Sequence, residues 1–140
     1  GLPLWRGWAA SLIVVDTSAL LTILLREPRS DRYKERLETS DRVLISAGTL
    51  SEAFLVAQHR GLGEAMDHLL TGLDLEVIPV DAAEARRVAQ AHALWGRNRH
   101  AANLNFGDCF AYAVAKRYDC PLLFVGNDFS RTDVAPAVAP

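Results

Sequence analysis

Leu12-Ile13-Val14-Val15 is an apolar run, β-branched at three of its four positions, and Asp16 follows it at once. A strand that is apolar at every position has no face to give to water, so it belongs in a sheet covered on both sides. Val43-Leu44-Ile45 and Leu122 to Val125 repeat the signal, and Leu75 to Val80 repeats it imperfectly around Pro79. Proline cannot donate to a strand ladder, which places that last run near a sheet edge.

Helical patterns fill the intervals between these runs. Ala19 to Leu25, Arg29 to Thr39, Thr49 to Arg60, Glu64 to Leu73, a stretch capped by Asp81 and ending near Trp95, and Phe106 to Tyr118 all show the period. Gly61 and Gly96 supply stops. Strands separated by helices predict an α/β chain, a three-layer α/β/α sandwich around a mainly parallel sheet of four to five strands. The fifth would be an edge strand from the apolar, Pro-interrupted tail, Val134 to Pro140.

With 140 residues, the chain is the size of one domain, assigned to residues 12–140. Residues 1–11 (GLPLWRGWAAS) are read as an expression remnant or an alternative start, and set aside from the fold. No apolar run approaches the roughly 18 residues a membrane span needs. The two cysteines, Cys109 and Cys120, stand outside any metal-binding or redox spacing and read as buried thiols in a reducing cytoplasm. Fifteen basic against seventeen acidic residues leave a net charge of −2. A global basic field for nucleic acid is therefore excluded, and any such role rests on local patches or on a metal.

Four acids sit among apolar residues: Asp16, Glu52, Asp108 and Asp128. Singly, each has a structural explanation. Asp16 can cap the first helix, Glu52 and Asp108 can favour a helix start, and Asp128 can form a turn. Jointly they say more. In a parallel sheet, Asp16 and Asp128 fall at the carboxyl ends of two strands, on one rim. Glu52 and Asp108, each expected in the first turn of a helix, point back at that rim. Converging carboxylates repel and raise one another's pKa unless a cation neutralises them. An all-oxygen set suits Mg²⁺ or Mn²⁺ rather than zinc, and the commonplace use of such an ion is phosphoryl chemistry. No phosphate-cradling glycine loop is present, so the substrate phosphate belongs to a polymer or is gripped by side chains. Arg97, Arg99 and His100, in the polar loop before Asp108, are candidates for that grip. Thr17 or Ser18 could hydrogen-bond a metal ligand, or simply cap the first helix.

Four stretches carry a resemblance: Val14-Val15-Asp16-Thr17-Ser18-Ala19-Leu20; Ser51-Glu52-Ala53; Leu104-Asn105-Phe106-Gly107-Asp108-Cys109-Phe110-Ala111-Tyr112-Ala113; and Leu122-Leu123-Phe124-Val125-Gly126-Asn127-Asp128-Phe129. In order and spacing they resemble a PIN domain, and more narrowly the VapC ribonuclease toxins of type II toxin–antitoxin pairs. The resemblance implies a PIN-like sandwich and a Mg²⁺-dependent endoribonuclease (Mn²⁺ as a substitute) cutting tRNA or ribosomal RNA. It assigns Asp16, Glu52 and Asp108 to the acidic metal site, with Asp128 as the usual fourth acid. Asp133 is the alternative for that place. It further implies a homodimer and a VapB antitoxin whose C-terminal segment lies over the groove, presenting a basic side chain to the acids. The rivals are a PIN-like module that binds RNA or a partner without cutting, and a phospho-acceptor domain. The latter usually needs a second acid two residues after the first, where this chain has Ser18.

Overall fold

The computed structural model describes residues 11–139. Residues 1–10, with Trp5 and Trp8, lie outside them. Ser11, set aside with that segment, is held in the fold: its amide donates to Asp41 Oδ2 (2.8 Å) and its carbonyl accepts from the Arg42 amide (3.1 Å).

The elements run β1 (Leu12–Val15), α1 (Thr17–Leu24), α2 (Ser30–Thr39), β2 (Arg42–Ser46) and α3 (Ala47–His59). Then follow α4 (Gly63–Gly72), β3 (Leu75–Ile78), α5 (Ala82–Trp95), α6 (Phe106–Arg117) and β4 (Leu122–Leu123). The strands form one fully parallel sheet in the order β3-β2-β1-β4. β3 is the edge expected from Pro79.

Alternation along the strands builds two cores. Ile13, Val15, Val43, Ile45 and Leu123 face one side and pack with α1, α2, α3 and α4. Val14, Leu44 and Leu122 face the other and pack with α5 and α6. The result is the three-layer sandwich, and it explains why β1 and β2 are apolar throughout. On the second side, Glu84 of α5 is fully buried, with Arg87 Nη1 at 3.2 Å and Arg117 Nη1 of α6 at 3.9 Å from Oε1.

Three expectations are corrected. The tail gives a single bridge, Leu122 with Pro136, instead of a fifth strand, because its prolines cannot sustain a ladder. The β4 strand stops at Leu123, after which the chain turns away through Gly126 at φ +102°. Cys120 is only half-buried, whereas Cys109 is fully so.

Candidate active site

The strand order reverses at β1: the chain moves outward through β2 to β3, then returns to place β4 on the opposite flank of β1. In an open parallel sheet the crevice for ligands opens at such a point, beyond the carboxyl ends of the strands. Asp16 directly follows β1 and Asp128 lies beyond β4, so both come after the carboxyl ends of the strands that meet at this crevice.

Asp16 is 4% exposed and caps α1, its Oδ2 accepting from the Ser18 amide (3.1 Å) and the Ser18 hydroxyl (2.7 Å). The same hydroxyl accepts from the Val125 amide at 3.0 Å, tying the turn after β1 to the segment after β4. Thr17 Oγ1 donates to the Thr49 carbonyl (3.3 Å) and joins α1 to α3. Asp16 Oδ1 is left buried with no hydrogen-bond partner. Burial pushes the Asp16 carboxyl up to about 6, with repulsion from Glu52 adding to the rise against the Ser18 bonds.

Asp108 is 7% exposed and lies in the first turn of α6, as expected. It closes a capping box with Asn105: its amide donates to Asn105 Oδ1 (2.8 Å), and its Oδ2 accepts from the Asn105 amide (3.0 Å). Burial raises its pKa to about 7, helped by the charges of Asp16, Asp128 and Glu52. Asp108 therefore feels all three of the other acids.

Glu52 departs from expectation in one respect. β2 runs straight into α3, with Ser46 serving as both last strand residue and N-cap, so Glu52 falls in the second turn instead of the first. Its carboxylate still reaches the site, resting against Gly107, where any Cβ would overlap Oε2. Asp128 is exposed on the turn beyond β4. Asp133 is engaged elsewhere, accepting from the Tyr112 hydroxyl at 2.6 Å and pairing with Lys116 at 3.1 Å. These bonds hold the Asp133 carboxyl below its ordinary range, the Tyr112 hydrogen bond contributing most.

Among the described residues, no three such side chains already stand at metal-gripping distances. The donor set nevertheless fits a hard divalent cation. Every donor is a carboxylate, Asp16 carries a buried orphan oxygen, and burial, with repulsion between the acids adding to it, raises the pKa of both Asp16 and Asp108.

Arg97, Arg99 and His100 are exposed on the loop between α5 and α6. The His100 ring stands edge-on to Trp95 (centroids 4.7 Å apart), and its Nδ1 accepts from the Ala102 amide (2.9 Å). An apolar groove, absent from the sequence reading, opens beside Glu52 between Gly48, Leu55, Val80, Phe106 and Phe110. Phe106 is 69% exposed there. The only sequence signal for it was a large aromatic one residue into a helix.

A parallel sandwich with acids gathered at its switch point defines a class, and residues 13–135 match the PIN domain family, to which the chain belongs. Within that class it belongs to the VapC ribonuclease family. It is 40% identical over 129 residues to "Ribonuclease VapC42" of Mycobacterium tuberculosis, covering 89% of this chain and 98% of the relative. It is 37% identical over 131 residues to "VapC ribonuclease Mb0640" of Mycobacterium bovis, covering 91% of this chain and all of the relative. The fold is also that of the crystal structure of VapC20 from Mycobacterium tuberculosis, with TM-score 0.70 at 21% identity, covering 91% of this chain and 99% of the other.

Proposed function

We propose that the chain is a divalent-metal-dependent endoribonuclease, the toxin of a type II toxin–antitoxin pair. The observation that carries this reading is the pairing of Asp16 and Asp108 at the switch point, both buried and both raised in pKa by that burial and by repulsion from the neighbouring acids. RNA as the substrate class follows the relatives' names, and tRNA or ribosomal RNA is the polymer we assign.

Asp16 and Asp108 would hold Mg²⁺ (or Mn²⁺), and Glu52 and Asp128 would orient the attacking water. When bound, the cation supplies Lewis-acid stabilisation of charge at the scissile phosphate. Ser18 keeps the Asp16 carboxylate in one rotamer, and the Asn105 box does the same for Asp108. Arg97, Arg99 and His100 take the phosphates of the neighbouring nucleotides. VapBC structures of the same fold support a VapB-type antitoxin as partner; we assign to it a basic side chain set against the acids, on the charge of the rim alone. We also assign a homodimer.

The test is cleavage of total tRNA and ribosomal RNA by partner-free protein, with Mg²⁺ and with EDTA, beside Asp16→Asn. Discrete fragments that vanish with EDTA and in the variant are expected. Undiminished cleavage by the variant would sink the assignment.

A further inference from the structure

Asp128 is the least supported of the four acids. It is exposed, lies outside any helix or strand, and follows a two-residue strand and a glycine at φ +102°. The stretch from Gly126 to Val134 has few internal bonds: the Ser130 amide to the Asn127 carbonyl (3.1 Å), the Thr132 amide and hydroxyl to the Phe129 carbonyl, and the Val134 amide to the Thr132 hydroxyl (3.3 Å). Phe129, 2% exposed, plugs one end of it against Phe124. Toward the other end Val134 is buried, the Leu122 amide donates to the Ala135 carbonyl (2.8 Å), Arg131 Nη1 donates to the Ala101 carbonyl (3.3 Å), and Asp133 is tied to α6.

Asp133 is gripped by α6. The Tyr112 hydroxyl, on a side chain 6% exposed, donates to its Oδ1 at 2.6 Å, and Lys116 reaches its Oδ2. The direction of the first bond is set from behind. Trp95 Nε1, which can only donate, approaches the Tyr112 oxygen at 2.8 Å, so that oxygen accepts and its single hydrogen is aimed at Asp133. Burial and the Asp133 bond push the Tyr112 hydroxyl up to about 12, so it keeps this hydrogen at any working pH. Tyr112 lies one helical turn beyond Asp108. One helix thus carries an acid of the site and clamps the segment bearing another.

We propose that Tyr112 is a positioning residue: through Asp133, and oriented by Trp95, it holds the 126–134 segment so that Asp128 faces Asp108. The proposal rests on the reading of Asp128 as a site acid. Its test measures backbone hydrogen exchange of peptides covering 124–134 in the unaltered chain, Tyr112→Phe and Asp133→Ala. The second variant changes an exposed residue and protects the test against a folding failure at Tyr112. Exchange across 126–134 is expected to rise about tenfold in both variants, with the sheet and α6 unchanged. On the RNA that the unaltered chain cuts, kcat is expected to fall about tenfold with KM within about twofold, and Tyr112→Phe to add nothing in an Asp128→Asn background. Unaltered exchange across 126–134, or a rise spread over the whole chain, overturns the clamp. A loosened segment together with full cleavage by Asp128→Asn overturns instead the assignment of Asp128 to the site.

Discussion

Asp16 does two things at once: it caps α1 with Oδ2 and leaves Oδ1 buried and bare. The cap alone would be satisfied by Asn, so the charge is surplus to the fold and meant for something else. Replacing Asp16 or Asp108 by Asn should therefore reduce RNA cleavage at least about a hundredfold while the circular dichroism spectrum is kept. The same surplus charge predicts a pH dependence. Both acids bind a proton more tightly folded than unfolded, at about 6 and about 7 against 3.8. The folded form therefore takes up protons between about pH 4 and 7, and the metal-free protein loses stability as pH rises through that window. Asp108→Asn should stabilise it at pH 8 by on the order of 3 kcal/mol and by nothing at pH 3, read from thermal melts in EDTA. Equal melting of the two proteins at pH 8 would contradict the raised pKa.

At the scale of elements, the site depends on how closely α3 and α6 meet above the rim. Gly107 leaves room for the Glu52 carboxylate, and Gly48 leaves room for the Phe110 ring. The two glycines predict different failures. At Gly107 a methyl group would push the free end of a flexible side chain, so Gly107→Ala should fold normally and lose about tenfold or more in cleavage. At Gly48 it would strike a packed ring, so Gly48→Ala should cost about 1–3 kcal/mol in a denaturant titration. A second joint is Ser18, whose hydroxyl bridges Asp16 and the Val125 amide across β1 and β4. Ser18→Ala should destabilise by about 1–2 kcal/mol and slow cleavage by loosening Asp16, measured on the same titration and RNA.

For the whole molecule, folding assembles like charges that it does not neutralise, and a divalent cation is the natural remedy. Adding Mg²⁺ at pH 8 should raise the melting temperature of the unaltered chain by several degrees at a hundredfold excess over Kd, and leave Asp16→Asn nearly unmoved. A comparable rise in both would mean that the ion binds elsewhere. None of the described helices is long and apolar enough to cross a membrane.

The sequence by itself determined the element types, their order and the sandwich. Local patterns suffice for these: β1 reads as buried on both faces because every position is apolar, and Asp81, Gly61 and Gly96 punctuate helices through their own chemistry. It also singled out the four acids, since a carboxylate among apolar residues is conspicuous before any fold is known. Tertiary structure decided the rest. Where α3 begins, and so which turn holds Glu52, depends on β2 ending in its own cap at Ser46. The engagement of Asp133 by Tyr112 and Lys116, 21 and 17 residues distant in sequence, is also a product of packing. The orphan oxygen of Asp16 and the close approach of α3 to α6 likewise exist only once distant segments are packed, because burial is a property of neighbours that no local window contains.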